Sequence, residues 1–216
     1  MPKVSSKLDA IGATSSALQT PRFYLASRSS RRRELLAQAC YSYAELPAGA
    51  ADVDETPRAG ELAADYVVRL AREKAAAGRR TLTGGAFAVL PVLTADTTVV
   101  LDGAIFGKPD DAQHACDMLH QLAGRTHQVL TAVALADGAG VNTRLSVSTV
   151  EFRAIAPAEI KSYVASSEPL DKAGAYAVQG RAAIFIKAIS GSYSGIMGLP
   201  LFETAELLDT LGITPD

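Results

Sequence analysis

The sequence predicts an α/β protein, built as a single domain or as two small lobes. Three observations carry this expectation. The chain has 216 residues, long for one average domain and short for two. Strand-like apolar runs alternate with helical stripes from Phe23 onward. The composition, 48% apolar and 20% charged, is that of a globular chain with a real core. A formal net charge of -2 gives no general attraction for nucleic acid or an anionic membrane, so any anion site must be local. No apolar run approaches the roughly 20 residues of a spanning helix. Cys40 and Cys116 lie far apart and match no zinc spacing, which points to a reducing, cytoplasmic setting.

Residues 1–21, rich in Ser, Thr, Ala and Gly, are expected to form a mobile tail, because they have neither the apolar core nor the arginine run of a targeting segment. Residues 22–216 then make the domain. Phe23 to Ala26 reads as a buried strand and Arg31 to Cys40 as a helix with Leu35 and Leu36 inward. Tyr41 to Leu46 is a second strand, followed by an acidic loop marked by Pro57 and Gly60. Glu61 to Ala77 is a helix, since Ala63, Tyr66, Val67, Leu70 and Lys74 recur on one stripe. After the loop "AAGRRTLTGGAF", the segment "AVLPVLTADTTVVLDGAIFGKP" reads as a β-hairpin. Asp111 to Leu122 is a helix, and Thr126 to Leu135 pairs antiparallel with Arg144 to Ile155 across "ADGAG". Pro157 to Ala165 begins as a helix with proline in its first turn. "DKAGAYAVQG" is irregular, "AAIFIKAI" a strand, "SGSYSGIMGLP" a loop, and Leu201 to Leu211 a closing helix.

The chemistry starts at "LASRSSRRRELL". A strand that turns through small residues into a helix presents free N–H groups and a positive dipole, an anion site, and Arg31 on that turn favours phosphate. A solvated arginine face is the alternative. Asp96 in "LTADTTVV" is either hydrogen-bonded for structure or held for acid/base or metal work. Asp52, Asp54 and Glu55 form either a solvated acidic turn or oxygen ligands for a hard metal. Lys74 shares its stripe with core residues, so its ammonium either snorkels outward or enters a cleft. Lys108 sits at a turn, and His114, His120 and His127 show no metal spacing. With no Gly-x-Ser-x-Gly elbow and no Cys-x-x-Cys, cations and carboxylates are the available tools. They suit metal-assisted hydrolysis at phosphorus better than acyl transfer or redox chemistry.

Taken in order, "LASRSSRRRELL", "DVDETP", "YVVRLAREKA", "ADTTVV", "GKPDD", "AGRTHQVLTAV", "DKAGAYAVQG" and "GSYSGIMGLPL" resemble the motifs of the Maf family of nucleoside triphosphate pyrophosphatases. The resemblance implies a mixed twisted sheet with flanking helices and two lobes around a deep cleft, related to inosine triphosphate pyrophosphatases. It implies cleavage of a nucleoside triphosphate between the α and β phosphates with a divalent metal, magnesium foremost and manganese or cobalt as substitutes. A homodimer is implied by the resemblance alone. Asp96 matches the proton acceptor; Arg31, Thr97 and Gln179 match positions tied to substrate choice. Ser27, Lys74 and Lys108 match substrate-binding positions, and Glu55 with Asp96 the metal-handling acids. Of the three arginines, Arg31 is expected to face the ligand, Arg32 is left open, and Arg33 is solvated.

Thr97 and Gln179 resemble the dTTP/UTP branch; the 7-methyl-GTP branch carries Gln and Glu there. The Gln179 amide offers a donor and an acceptor, complementary to the O4 and N3–H edge of thymine or uracil. The rival readings are a pyrophosphatase for 7-methyl-GTP or other modified nucleotides and a nucleotide-binding regulator of division without hydrolysis. The chain departs from the family pattern in three places. Ser30 replaces Pro and is expected to cap the helix. Ala177 replaces Gly and would be strained at positive φ. "RRTLTGGAFAVLP" lengthens a loop.

Overall fold

In the computed structural model, which describes residues 20–85 and 87–216, the chain forms one mixed sheet with helices on both faces. The expected tail falls outside the described residues as far as residue 19. The strands are β1 (Tyr24–Leu25), β2 (Ala44–Glu45), β3 (Val92–Leu101), β4 (Ala104–Phe106), β5 (Thr126–Ala136), β6 (Val141–Phe152) and β7 (Ile186–Ser190). The helices are α1 (Ser30–Gln38), α2 (Ala63–Thr81), α3 (Ala112–Leu122), α4 (Pro157–Val164), α5 (Tyr193–Met197) and α6 (Leu201–Asp209). Strand order is β2-β1-β3-β5-β6-β7, with β4 also beside β3.

β3 organises the rest. Nine of its ten residues are buried, the near-continuous pattern of a strand covered on both faces. On one edge it pairs throughout with antiparallel β5. On the other edge it has two partners: parallel β1 at Val92 and Leu93, then antiparallel β4 from Val99. Between them, among the described residues, the edge of β3 around Asp96 and Thr97 has no strand neighbour. Alternation then sends Asp96 to one face and Thr97 to the other.

The faces are packed differently. Val92 and Val100 join Val67, Leu70, Ala71 and Ala75 of α2 in one core. On the opposite face, Leu93 and Ala95 pack with Leu35, Leu36, Leu207 and Leu208 of α1 and α6. Farther along that face, Val99 and Leu101 pack with Leu119, Leu122, Ile160 and Phe152. Thr97 lies between these last two cores.

α2 runs four residues past its expected end, to Thr81, and within that extension Gly78 is a close-packing point: a Cβ there would lie 2.9 Å from Val92 Cγ1. Thr94 Oγ1 also donates to the Ala71 carbonyl at 2.8 Å. "AAIFIKAI" starts as a 3-10 turn over Arg181–Phe185 and becomes strand only at Ile186, while "SGSYSGIMGLP" contains the short helix α5. Its cap, Ser192 Oγ accepting from Gly195 N–H at 2.9 Å, is the Ser-x-x signal that the loop expectation overlooked.

His127 has a structural role. It is 2% exposed, its Nε2 lies 2.9 Å from the Tyr176 hydroxyl, and Phe152 and Tyr176 meet its ring edge-on. Burial lowers its pKa from 6.5 to about 4. Between those values the unfolded chain binds the proton more readily, so acidification through that window favours unfolding. Urea unfolding from pH 7 to pH 4 should therefore lose about 3 kcal/mol more in the parent protein than in His127→Gln.

Candidate active site

The site begins where β1 ends. Ser27 Oγ accepts from the Ser29 N–H at 3.2 Å and from Arg32 Nη1 at 3.3 Å, closing the turn into α1. Ser29, not Ser30, holds the cap position, and its side chain makes no capping hydrogen bond. Ser30 is the first helical residue, where proline is favoured because its missing N–H costs nothing. With no acid in its first turn and no side-chain cap hydrogen bond, α1 begins in the arrangement that suits an anion.

Arg31, Arg32 and Arg33 all line a cleft of about 1030 Å³, with Asp96, Thr97, Lys74, Glu55, Lys108 and Gln179. Arg31 is half-buried and stands 3.6 Å from Asp171. Arg33, expected in solvent, is half-buried and reaches Glu45 at 3.5 Å. Arg32 is the most firmly held. Its Nε donates to the Gly198 carbonyl at 2.7 Å and its Nη2 to Thr97 Oγ1 at 3.3 Å. Burial lowers its pKa, against the attraction of Asp96, while neighbouring Arg31 lowers it further.

On the α2 side, Lys74 does not snorkel outward. Its ammonium donates to Asp96 Oδ1 at 2.6 Å and stands 2.7 Å from Glu55 Oε1. Both carboxylates therefore stand within two hydrogen-bond lengths of each other around one cation. Burial works to raise the Glu55 pKa, but the Lys74 hydrogen bond and charge, then Lys108 and Arg28, bring it below its usual value. The rest of the acidic loop disperses. Asp52 pairs with Arg28 at 2.5 Å, and Asp54 accepts from the Thr56 N–H at 2.9 Å. Among the described residues no three His, Cys, Asp or Glu converge as a metal cage.

Tyr66 shares the Lys74 stripe of α2 and has no further sequence signal of its own. Its hydroxyl donates to the Glu55 carbonyl at 3.0 Å, tying the acidic loop to α2. Burial, with Asp96 and Glu55 adding to it, pushes its pKa up to about 12. Across the cleft, Gln179 is exposed on the loop that follows Gly174. Gly174 has φ +66°, and a Cβ on it would meet Val99 Cγ2 at 2.7 Å, so the loop is seated directly on β3. Ala177 is not at positive φ; that strain falls on its neighbour Ala175, φ 59°. Alanine at 177 therefore leaves the loop intact.

Three arginines, two lysines and a helix start facing two carboxylates suit a polyanion carrying a metal. Inorganic triphosphate is the simplest probe. Arg31→Ala and Arg32→Ala should each weaken its binding at least about tenfold, while Arg33→Ala stays within about twofold. Isothermal titration calorimetry reads all three.

A family profile described as Maf-like protein matches residues 22–211. A dTTP/UTP pyrophosphatase of Aromatoleum aromaticum is 56% identical over 197 residues, covering 88% of this chain and 96% of that protein. One from Nitrosomonas europaea is 55% identical over 196 residues, covering 88% and 95%. One from Salmonella typhimurium is 53% identical over 185 residues, covering 86% and 90%. A likeness to the Staphylococcus aureus Ham1 protein, at TM-score 0.42 and 13% identity over 60% of this chain and 71% of that one, is too loose to carry weight. A profile match over almost all of the chain beyond its first 21 residues, with full-length relatives more than half identical, means that the chain belongs to the Maf family.

Proposed function

We propose that this protein hydrolyses dTTP and UTP between the α and β phosphates, releasing the nucleoside monophosphate and pyrophosphate. The observation that carries the reaction is the Lys74 ammonium bridging Glu55 and Asp96 opposite the arginines of α1. The base preference rests on the relatives named above and on Thr97 and Gln179 in the same cleft.

The donor set suits a divalent cation, with magnesium the expected one. Glu55 and Asp96 already converge on a cation, the ammonium, and magnesium characteristically takes one or two carboxylates with water and phosphate oxygens. When bound, such a metal supplies neutralisation of charge on the phosphates and on the pyrophosphate leaving group. Arg31, Lys108 and the α1 N–H groups hold the triphosphate, with Ser27 and Arg32 shaping the turn. Lys74 occupies Asp96 Oδ1 and so fixes the carboxylate plane. Oδ2 is the oxygen left to take the proton from the water that attacks the α phosphorus. A carboxylate base in this role contributes about 10²- to 10⁴-fold. Gln179 reads the base edge.

The same reading sets the chain in the cytoplasm as a homodimer. Its support is the pair of unbridged cysteines, Cys40 and Cys116, for the first, and family likeness for the second. No helix among the described residues is long and apolar enough to cross a membrane.

Incubation with dTTP and magnesium should release pyrophosphate, and a chelator should abolish it. Asp96→Asn should lower turnover at least about a hundredfold; wild-type turnover in that variant would remove Asp96 from the chemistry. Nucleotide binding without any pyrophosphate release would favour the regulator instead. In a panel of dTTP, UTP and 7-methyl-GTP, Gln179→Glu should lower pyrimidine turnover more than guanine turnover, and an unchanged ratio would end the amide readout.

A further inference from the structure

Behind Thr97, away from the phosphate-binding cations, stands a fully buried threonine, Thr131 of β5, paired directly across the sheet from it. The two hydroxyl oxygens are 3.0 Å apart, and Thr131 Oγ1 lies 2.7 Å from the Gly195 carbonyl in α5. A hydroxyl has one proton and two lone pairs. The carbonyl cannot donate, so a 2.7 Å approach of two oxygens requires the Thr131 proton between them. Thr131 can then only accept from Thr97. Thr97 Oγ1 in turn receives the Arg32 Nη2–H at 3.3 Å, and a guanidinium can only donate. The polarity of the whole chain is settled: Arg32 donates to Thr97, Thr97 to Thr131, and Thr131 to Gly195.

One lone pair of Thr97 remains, on a residue that lines the cleft. We infer that Thr131 is a positioning residue for specificity: by accepting the Thr97 proton, it makes Thr97 an obligate hydrogen-bond acceptor that selects a nucleotide donating an N–H or O–H at that point. This rests on the pyrimidine reading above. The matching donor is the imide N3–H of thymine or uracil, or a sugar hydroxyl. Without Thr131 the Thr97 hydroxyl is free to rotate and donate, and a ligand without the donor is no longer rejected.

The test compares kcat/KM for dTTP, N3-methyl-dTTP and 2′,3′-dideoxythymidine triphosphate in the parent protein and in Thr131→Val, Thr131→Ser and Thr97→Val. In Thr131→Val the preference for dTTP should shrink by about three- to tenfold against one of the two analogues. Loss against the N3-methyl compound identifies the base as donor; loss against the dideoxy compound identifies the sugar. Thr131→Ser retains the hydroxyl and should keep the parental ratios within about twofold, a rescue that mere packing would not require. A loosened fold would lower all three rates together and leave the ratios alone. Unchanged ratios in Thr131→Val, or a Ser variant behaving like the Val variant, overturn the inference. If Thr131→Val does not fold, Thr97→Val decides, since removing the acceptor must compress the same ratio and failure to do so overturns it. A parent protein inactive on both dTTP and UTP would instead end the functional reading and take this inference with it.

Discussion

The interaction on which the site depends is the triple contact of Glu55, Lys74 and Asp96. A lysine on the buried stripe of a helix is costly unless its charge is met, and here two carboxylates meet it at 2.6 and 2.7 Å. Those acids come from an irregular loop and from a nearly fully buried strand, so the contact links three segments distant in sequence. It can form only because α2 lies close on the sheet. Gly78 permits that approach at Val92, and the Thr94 hydroxyl secures it at Ala71. Breaking one partner of such a set leaves an uncompensated charge, which is why the geometry is held from several sides. Tyr66 completes it by holding the backbone of Glu55 to the same helix.

The cleft itself follows from β3 having two successive partners on one edge. β1 leaves after Leu93 and β4 arrives at Val99, so the strand between is covered on one edge only. Two separate cores then form on the Thr97 face, one around α1 and α6 and one around α3 and α4. Because β3 alternates, adjacent residues serve different chemistry. Asp96 answers to Lys74 on the α2 face, and Thr97 answers to Arg32 and Thr131 on the other.

The crowding of arginines at the positive end of α1 is relieved unequally. Arg28, Arg31 and Arg33 meet Asp52, Asp171 and Glu45 in ion pairs at least partly open to solvent. Such pairs are worth about 1 kcal/mol or less. A phosphate making charge-assisted, two-pronged hydrogen bonds can displace these acids at small cost. Arg32 is different, held by a carbonyl and two hydroxyls rather than by an acid. It braces the turn into α1 against Thr97 and Gly198 as much as it contributes charge.

Much of this molecule can be read from local pattern. Periodicity locates α2, α3 and the long strands within a few residues, because half-buried elements must repeat at 3.6 or 2 residues. The succession of short motifs resembles one family, and that resemblance singles out Asp96, Lys74, Thr97 and Gln179, which line the same cleft. Pattern fails where a residue's role is set by contacts from distant segments. Arg31, Arg32 and Arg33 are identical letters on one turn, and only the packing of α1 against α5 distinguishes the one that reaches Thr97 and Gly198. Lys74 could have pointed to water or inward until Asp96 and Glu55 stood above it. Thr131 has no signature of its own within β5. Its meaning comes from a cross-strand neighbour and a carbonyl 64 residues away, because hydrogen-bond polarity belongs to the assembled network and not to any one side chain.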